Sequence, residues 1–268
     1  MDYRQKLKDH KRIVIKIGTS TVTYPNGRIN LKRMEQLAWV LADLNNQGKD
    51  VVLVSSGAMG VGSADLGLTE RPTEIRLKQA AASVGQASLI QIYKNFFNEY
   101  NQKVAQILLT KEDIKNEERR TTASTTFETL FRMQVVPIVN NNDAVATVNF
   151  EFSDNDTLSA VVANLIGADL LVLLTDIDAL YDANPRKNPG AKRISVVEEV
   201  TDNILSMAGE KGSIFSVGGM ETKLLAAKRC RESRTDMVIA LGEDPRILNK
   251  IIEGEDIGTL FINKEFQK

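Results

Sequence analysis

Cysteine and histidine are almost missing from this sequence, which contains one of each, Cys230 and His10. A single cysteine excludes an intramolecular disulfide and is consistent with a reducing compartment. The one histidine lies in a charged amino-terminal segment, so a histidine-based triad or a histidine-ligated zinc site is not expected. Any catalytic chemistry therefore has to use lysine, carboxylates, hydroxyls and backbone amides.

Long apolar runs and an excess of one charge are missing as well. No stretch approaches the roughly 20 apolar residues of a membrane span, and residues 1–11 lack the apolar core of a signal peptide. The 34 lysines and arginines balance 35 acidic residues, which gives no reason to expect a nucleic-acid or membrane partner. We expect a cytoplasmic protein whose 268 residues form one large α/β domain or two small ones.

Apolar runs of strand length alternate with segments of helical spacing along the chain. Strands are predicted at residues 13–17, 51–54, 104–109, 135–139, 170–176, 237–241 and 258–262. Helices are predicted at residues 31–47, 73–100, 124–133, 158–166, 200–208 and about 220–231, with a short helix after Pro245. The charged residues 111–122 are expected to form an exposed excursion. This order indicates an α/β fold with a mainly parallel central sheet sandwiched between helices.

The first predicted strand carries one charged residue, Lys16, inside an otherwise apolar run. A buried ammonium group is costly unless an anion meets it, and Gly18 allows a ligand to approach the backbone closely. Lys16 therefore either faces a phosphate at the end of a central strand or lies on an edge strand and extends to water. The strand alone leaves both interpretations open.

Two segments of small residues suggest further anion contacts. The first, at residues 55–58, follows the second strand directly and leaves backbone N–H groups free to face an anion, although a flexible turn is the alternative. In the second, Gly218 and Gly219 lead into a helix that contains Lys223. That arrangement is a second candidate phosphate clamp.

Asparagine and aspartate are concentrated in two clusters, at residues 140–143 and 154–156. One such residue suffices to cap a helix, so a run of them favours a pocket for a small polar ligand. The carboxylate of Asp143 is suited to an ammonium group, and backbone amides near Asn155 are suited to a carboxylate.

Known nucleotide motifs are not found. The P-loop pattern, the protein-kinase set and the glycine spacing of a dinucleotide fold are all missing. Two lysines beside glycine turns instead suggest phosphoryl transfer, which requires positioning and charge stabilisation by lysine, Mg²⁺ and backbone amides. A carboxylate acceptor with a pKa of about 4.3 is already ionised, so it needs no histidine base.

Taken together, these segments resemble the amino-acid kinase family, and within it the enzymes that phosphorylate the γ-carboxylate of glutamate. The resemblance extends from residue 13 to about residue 262. The matching segments are Val14-Ile15-Lys16-Ile17-Gly18-Thr19-Ser20, Ser55-Ser56-Gly57-Ala58, Asn142-Asp143-Ala144-Val145-Ala146, Asp154-Asn155-Asp156, Leu174-Thr175-Asp176, Leu180-Tyr181, Pro185-Arg186, Gly218-Gly219-Met220 and Thr222-Lys223.

The resemblance implies roles for several of the matching residues. Lys16 and Lys223 would stabilise the transferring γ-phosphoryl group, and Asp156 would hold both lysines in place. Glutamate would be bound by Ser56, Asp143 and Asn155. Nucleotide contacts are expected from Lys16, Gly18, Gly57, Thr175, Asp176, Val217, Gly218, Gly219, Met220 and Lys223.

The resemblance also implies cofactors, partners and domain organisation. The expected cofactors are ATP and Mg²⁺, with glutamate as substrate, proline as feedback inhibitor, a glutamyl phosphate reductase as pathway partner, and a homodimer or homotetramer as assembly. Residues 1–268 would form one kinase domain without the PUA domain of many relatives. Its amino-terminal lobe, about residues 1–169, would bind the amino acid, and its carboxy-terminal lobe, about residues 170–268, the nucleotide.

Three departures from the family pattern and two alternatives accompany this prediction. Asn141 stands where glutamate is common, Asn184 where aspartate is usual, and Ser216-Val217 where Gly-Thr is common. One alternative is a kinase of the same fold acting on acetylglutamate, carbamate or a nucleoside monophosphate. The other is a non-catalytic amino-acid sensor, which would have no need of two lysines around Asp156.

Overall fold

An eight-stranded sheet runs through the computed structural model, which describes residues 3–24, 28–70, 72–145, 154–183, 185, 188–208 and 219–263. The strands are β1 (Arg12–Ile17), β2 (Asp50–Ser55), β3 (Lys103–Leu109), β4 (Val135–Asn141), β5 (Leu170–Thr175), β6 (Leu180–Tyr181), β7 (Arg193–Ile194), β8 (Val196–Val197), β9 (Asp236–Leu241) and β10 (Thr259–Phe261).

The helices lie between these strands in the order that the alternating pattern predicts. After a 3-10 helix at Arg4–Asp9 they are α1 (Thr19–Val22), α2 (Leu31–Asn46), α3 (Ala58–Asp65), α4 (Ile75–Glu99), α5 (Lys111–Lys115), α6 (Glu117–Arg132), α7 (Asn155–Ile166), α8 (Asp202–Ala208), α9 (Met220–Glu232) and α10 (Ile247–Ile252). None of these helices combines the length and apolarity that a membrane span requires.

The large sheet has the strand order β3-β4-β2-β1-β5-β9-β10-β8, and β6 and β7 form a separate hairpin. All neighbouring strands from β3 to β9 are parallel, whereas β10 is antiparallel to β9. The prediction of a mainly parallel sheet between helices is confirmed. In this register Lys16 pairs with Val54 on β2 and with Leu173 on β5, so it lies on a central strand and the edge-strand interpretation is excluded.

Each face of the sheet is covered by an apolar layer. One layer includes Leu37 and Leu41 of α2 together with Tyr93 and Phe97 of α4, all almost completely buried. The opposite layer includes Phe127 of α6 and side chains of α7 and α9. Full burial of each large apolar side chain contributes about 1.5–3 kcal/mol, which explains why the central strands are continuous apolar runs.

One local prediction was wrong. Residues 111–122 are helical, because Thr110 and Asp113 form a capping box at the start of α5 and Asn116 caps α6. The small residues after β2 are a turn only as far as Gly57, which has a φ of 103°, and α3 begins at Ala58. The helices α3 and α4 then pack so closely that a Cβ on Gly62 would overlap the carbonyl oxygen of Ala81.

Candidate active site

Lys16, Asp156 and Lys223 meet at the carboxyl edge of the central strands. Lys16 is the penultimate residue of β1, Asp156 lies in the first turn of α7, and Lys223 lies in the first turn of α9. The Nζ atom of Lys16 is 2.6 Å from Oδ1 of Asp156, and the Nζ atom of Lys223 is 3.0 Å from Oδ2. Two cations that are distant in sequence therefore share one carboxylate.

This triad is buried and carries a net positive charge. Lys16 is 8% exposed, Lys223 is 3% exposed and Asp156 is 1% exposed. Burial alone would raise the pKa of Asp156, but the charges and hydrogen bonds of the two lysines outweigh it and lower that pKa, so the carboxylate is ionised. Because two buried ammonium groups face one carboxylate, the site attracts a further anion.

Thr222 lies within hydrogen-bond distance of the same carboxylate. Its hydroxyl group lies 2.9 Å from Oδ2 of Asp156 and 2.8 Å from the carbonyl oxygen of Gly219, at the start of α9. The contact fixes the first turn of α9 against the first turn of α7. The sequence resemblance placed Thr222 in a segment expected to bind the nucleotide, but it did not predict the contact with Asp156.

Asn155 links the start of α7 to the ends of β2 and β4. Its Nδ2 atom lies 2.9 Å from Oγ of Ser56, 3.0 Å from the carbonyl oxygen of Ser55 and 3.0 Å from Oδ1 of Asn140. Asn140 Oδ1 also accepts from the backbone N–H of Asn141, so the orientations of both amides are consistent. Since Ser56 accepts a hydrogen bond here, its own hydroxyl proton can be donated to a ligand.

Asp143 follows β4 and is held by its neighbour Asn141. The Nδ2 atom of Asn141 donates to Oδ1 of Asp143 at 2.6 Å. The Oδ1 atom of Asn141 is buried without a hydrogen-bond partner among the described residues. The structure thus places the first Asn/Asp cluster beside Ser56 and Asn155, which contact each other and Asn140.

The two explanations for the second Asn/Asp cluster apply to different residues. Asp154 is the N-cap of α7, because its side chain accepts from the backbone N–H of Thr157 at 2.8 Å. Asn155 and Asp156 come next and make the site contacts given above. Capping therefore accounts for Asp154, whereas Asn155 contacts Ser56 and Asp156 pairs with the two lysines.

The residues predicted to bind nucleotide lie at several element ends. Gly18 separates β1 from α1, and a Cβ added there would lie 3.9 Å from the Nζ atom of Lys16. At the end of β5 the Thr175 hydroxyl donates to Oδ1 of Asp176 at 3.0 Å. Gly219 and Met220 begin α9. Val217 and Gly218 lie outside the described residues, as do two of the family departures, Ser216 and Asn184.

The contacts of four residues near the site were not predicted from the sequence: Ser55, Tyr93, Asn140 and Thr222. Asn140 and Ser55 could have been found from their positions within the cluster and the small-residue segment. Tyr93 gave no such signal, because an aromatic residue at helical spacing indicates core packing. It is fully buried in α4, and its hydroxyl lies 2.8 Å from Oγ of Ser55.

Comparison with known sequences agrees with the family resemblance found in the sequence. The model of the amino acid kinase family matches residues 11–240. A glutamate 5-kinase from Clostridium perfringens (strain 13 / Type A) is 50% identical over 266 residues, which cover 98% of this chain and 99% of that protein. A glutamate 5-kinase from Enterococcus faecalis (strain ATCC 700802 / V583) is also 50% identical, over 97% of each chain.

Solved structures with the same architecture are much more distant in sequence. A UMP kinase from Ureaplasma parvum superposes with a TM-score of 0.66 at 16% identity, covering 95% of this chain and 99% of that one. An isopentenyl phosphate kinase from T. acidophilum gives a TM-score of 0.62 at 16% identity, covering 94% and 100%. At such low identity the likeness establishes a shared fold and leaves the acceptor undefined.

Proposed function

The chain belongs to the amino acid kinase family, and from this premise we propose that it transfers the γ-phosphoryl group of ATP to the γ-carboxylate of glutamate. The product is an acyl phosphate, L-glutamyl 5-phosphate, formed as the first step of proline biosynthesis. The observation that carries the proposal is the convergence of Lys16 and Lys223 on Asp156. The substrate assignment is supported by the 50% identity to glutamate 5-kinases over nearly the whole chain.

The triad suits a migrating phosphoryl group. Charge spreads over the phosphoryl oxygens during transfer, and preorganised cations stabilise that charge without moving. Lys16 and Lys223 supply these cations, and Asp156 keeps their ammonium groups close together despite their mutual repulsion. The attacking carboxylate needs no proton acceptor, which agrees with the position of His10, paired with Asp236 at the opposite edge of the sheet.

Glutamate is assigned to the polar pocket beside the triad. The Asp143 carboxylate is the acceptor for its α-ammonium group, while Ser56 and Asn155 are the contacts for its carboxylates. The pocket shares the start of α7 with the triad, because Asn155 directly precedes Asp156. This adjacency would put the γ-carboxylate in line with the transferring phosphoryl group.

ATP enters with Mg²⁺ as the MgATP substrate. The described residues contain no group of three or more His, Cys, Asp or Glu side chains that could hold a metal ion. Mg²⁺ usually keeps several waters and binds through substrate phosphates, so a dedicated protein cage is not required. We assign phosphate contacts to the backbone at Gly18 and Gly57, and the nucleotide to Thr175, Asp176 and residues 217–220.

The lobe assignment and the partners complete the proposal. Residues 1–169 would bind the amino acid and residues 170–268 the nucleotide, with the boundary at the start of β5. The family resemblance is the basis for proposing a homo-oligomer, inhibition by proline and delivery of the labile product to a glutamyl phosphate reductase. The cytoplasmic location inferred from composition stays a prediction.

Trapping the product with hydroxylamine tests the assignment. Folded protein, glutamate, MgATP and hydroxylamine together should yield γ-glutamyl hydroxamate, and omission of any one should not. Acetylglutamate, carbamate and UMP, assayed by ATP consumption, are the comparison acceptors. Absence of hydroxamate above background would contradict the proposal, and ATP consumption with only one comparison acceptor would reassign the substrate. Amino-acid binding without ATP binding, measured by calorimetry, would indicate a sensor.

A further inference from the structure

A fully buried pair of hydroxyl groups lies directly behind the proposed glutamate pocket. Tyr93 of α4 is 0% exposed and Ser55, the last residue of β2, is 1% exposed. Their hydroxyl oxygens are 2.8 Å apart. The pair connects α4 to the end of β2, where Ser56 begins the pocket.

The direction of these hydrogen bonds follows from their partners. Oγ of Ser55 also lies 3.1 Å from the carbonyl oxygen of Ser56, which can only accept. The arrangement that gives both hydroxyl protons an acceptor has Ser55 donating to Ser56 and Tyr93 donating to Ser55. Burial raises the pKa of the Tyr93 phenol more than its hydrogen bond with Ser55 lowers it, so Tyr93 keeps this proton throughout the neutral pH range.

Both the side chain and the backbone of Ser55 thus form hydrogen bonds with pocket residues. Its side chain donates to the backbone of Ser56, and its carbonyl oxygen accepts from Nδ2 of Asn155 at 3.0 Å. We propose that the Tyr93 hydroxyl is a positioning group for the amino-acid substrate, acting through Ser55 on Ser56 and Asn155. The inference rests on the proposed function, which assigns these two residues to glutamate.

The surroundings explain why a change at Tyr93 would reach the pocket. A small cavity beside the pair is lined by Ser55, Gln86, Tyr93, Asn140 and neighbouring apolar side chains. It has room for about one water molecule, so the packing there leaves Ser55 space to move. If the Tyr93 hydroxyl is removed, Ser55 loses this hydrogen bond. Close packing around Ser55 does not hold it in place instead.

Hydroxyl deletions with matched controls test this relay. In Tyr93→Phe and in Ser55→Ala the KM for glutamate should rise about fivefold, the typical effect of one buried hydrogen bond. The KM for glutamate of the double variant should be no higher than that of the more impaired single variant, because both substitutions break the same relay. The KM for ATP should stay within about twofold, since the proposed function assigns no ATP contact to Tyr93 or Ser55. Ser55→Thr keeps a hydroxyl and should retain a KM near that of the unaltered protein.

Thr235→Val is the structural control. The hydroxyl of Thr235 is buried and donates to the carbonyl oxygen of Ala168 at 2.8 Å, at the opposite edge of the sheet. This variant should lose comparable stability in urea while its KM for glutamate stays unchanged. An unchanged KM in folded Tyr93→Phe, or equal changes of the KM values for glutamate and ATP, would overturn the inference.

The experiment also gives a decision if Tyr93→Phe does not fold or if the proposed function fails. If Tyr93→Phe fails to fold, the comparison of Ser55→Ala with Ser55→Thr decides, and equal KM values in these two variants would count against the relay. If the unaltered protein makes no γ-glutamyl hydroxamate, the proposed function fails. The relay is then judged from glutamate binding by calorimetry, where unchanged affinity in Tyr93→Phe would refute it.

Discussion

Replacing Asp156 by asparagine should separate the structural from the catalytic contribution of the triad. The unaltered triad has two positive charges and one negative charge, and the variant removes the negative charge that faces both buried ammonium groups. Breaking a buried ion pair by removing one partner typically costs about 3–5 kcal/mol. That is a large share of the roughly 5–15 kcal/mol by which a protein is stable, so the urea midpoint should fall markedly while the protein still folds.

The turnover of folded Asp156→Asn should fall by more than the loss of folded protein can explain. Asparagine cannot hold both lysines against their repulsion, and loss of one preorganised electrostatic contact typically lowers kcat by about 10²–10³. Lys223→Met is the matched comparison, because it leaves a neutral pair of Lys16 and Asp156. We expect Lys223→Met to lose turnover to a similar extent but to lose less stability than Asp156→Asn.

The assays are initial rates of hydroxamate formation and urea unfolding with and without MgATP. The triphosphate should restore part of the stability of Asp156→Asn, because an anion then faces the two lysines. Turnover within tenfold of the unaltered protein, together with an unchanged urea midpoint, would refute the role assigned to the triad.

Two further predictions concern the neighbouring carboxylates. In Asn141→Ala the KM for glutamate should rise about fivefold, because Asp143 loses the hydrogen bond that holds it, whereas the KM for glutarate, which lacks the ammonium group, should not change; equal rises for both acceptors would contradict this. The lowered pKa of Asp156 means that its ion pairs contribute fully above the unfolded value of 3.8 and are lost as pH falls through the lower folded value. The difference in unfolding free energy between unaltered protein and Asp156→Asn should therefore be constant from neutral pH to about pH 5 and shrink only below 3.8. A difference that already shrinks between pH 7 and pH 5 would show that the pKa of Asp156 is not lowered in the folded protein.

Local sequence signals determined the elements and the class of fold. The apolar run around Lys16 predicted a buried parallel strand, and β1 lies at the centre of the sheet between β2 and β5. Period-two and period-3.6 patterns are local properties, because each depends on which face of one element is buried. The prediction failed at residues 111–122, where capping by Thr110 and Asn116 stabilises helices with little apolar surface.

Only the tertiary structure decided which side chains meet. The register of β1 beside β5 and the packing of α7 and α9 bring Lys16 and Lys223 to opposite oxygens of Asp156. The same packing makes Asp154 a cap and leaves the next two residues for the site. Tyr93 contacts Ser55 only because the fold brings α4 next to the last residue of β2. Such contacts depend on how elements that are distant in sequence pack against each other. The residue spacing within one segment carries no information about the distance between two segments.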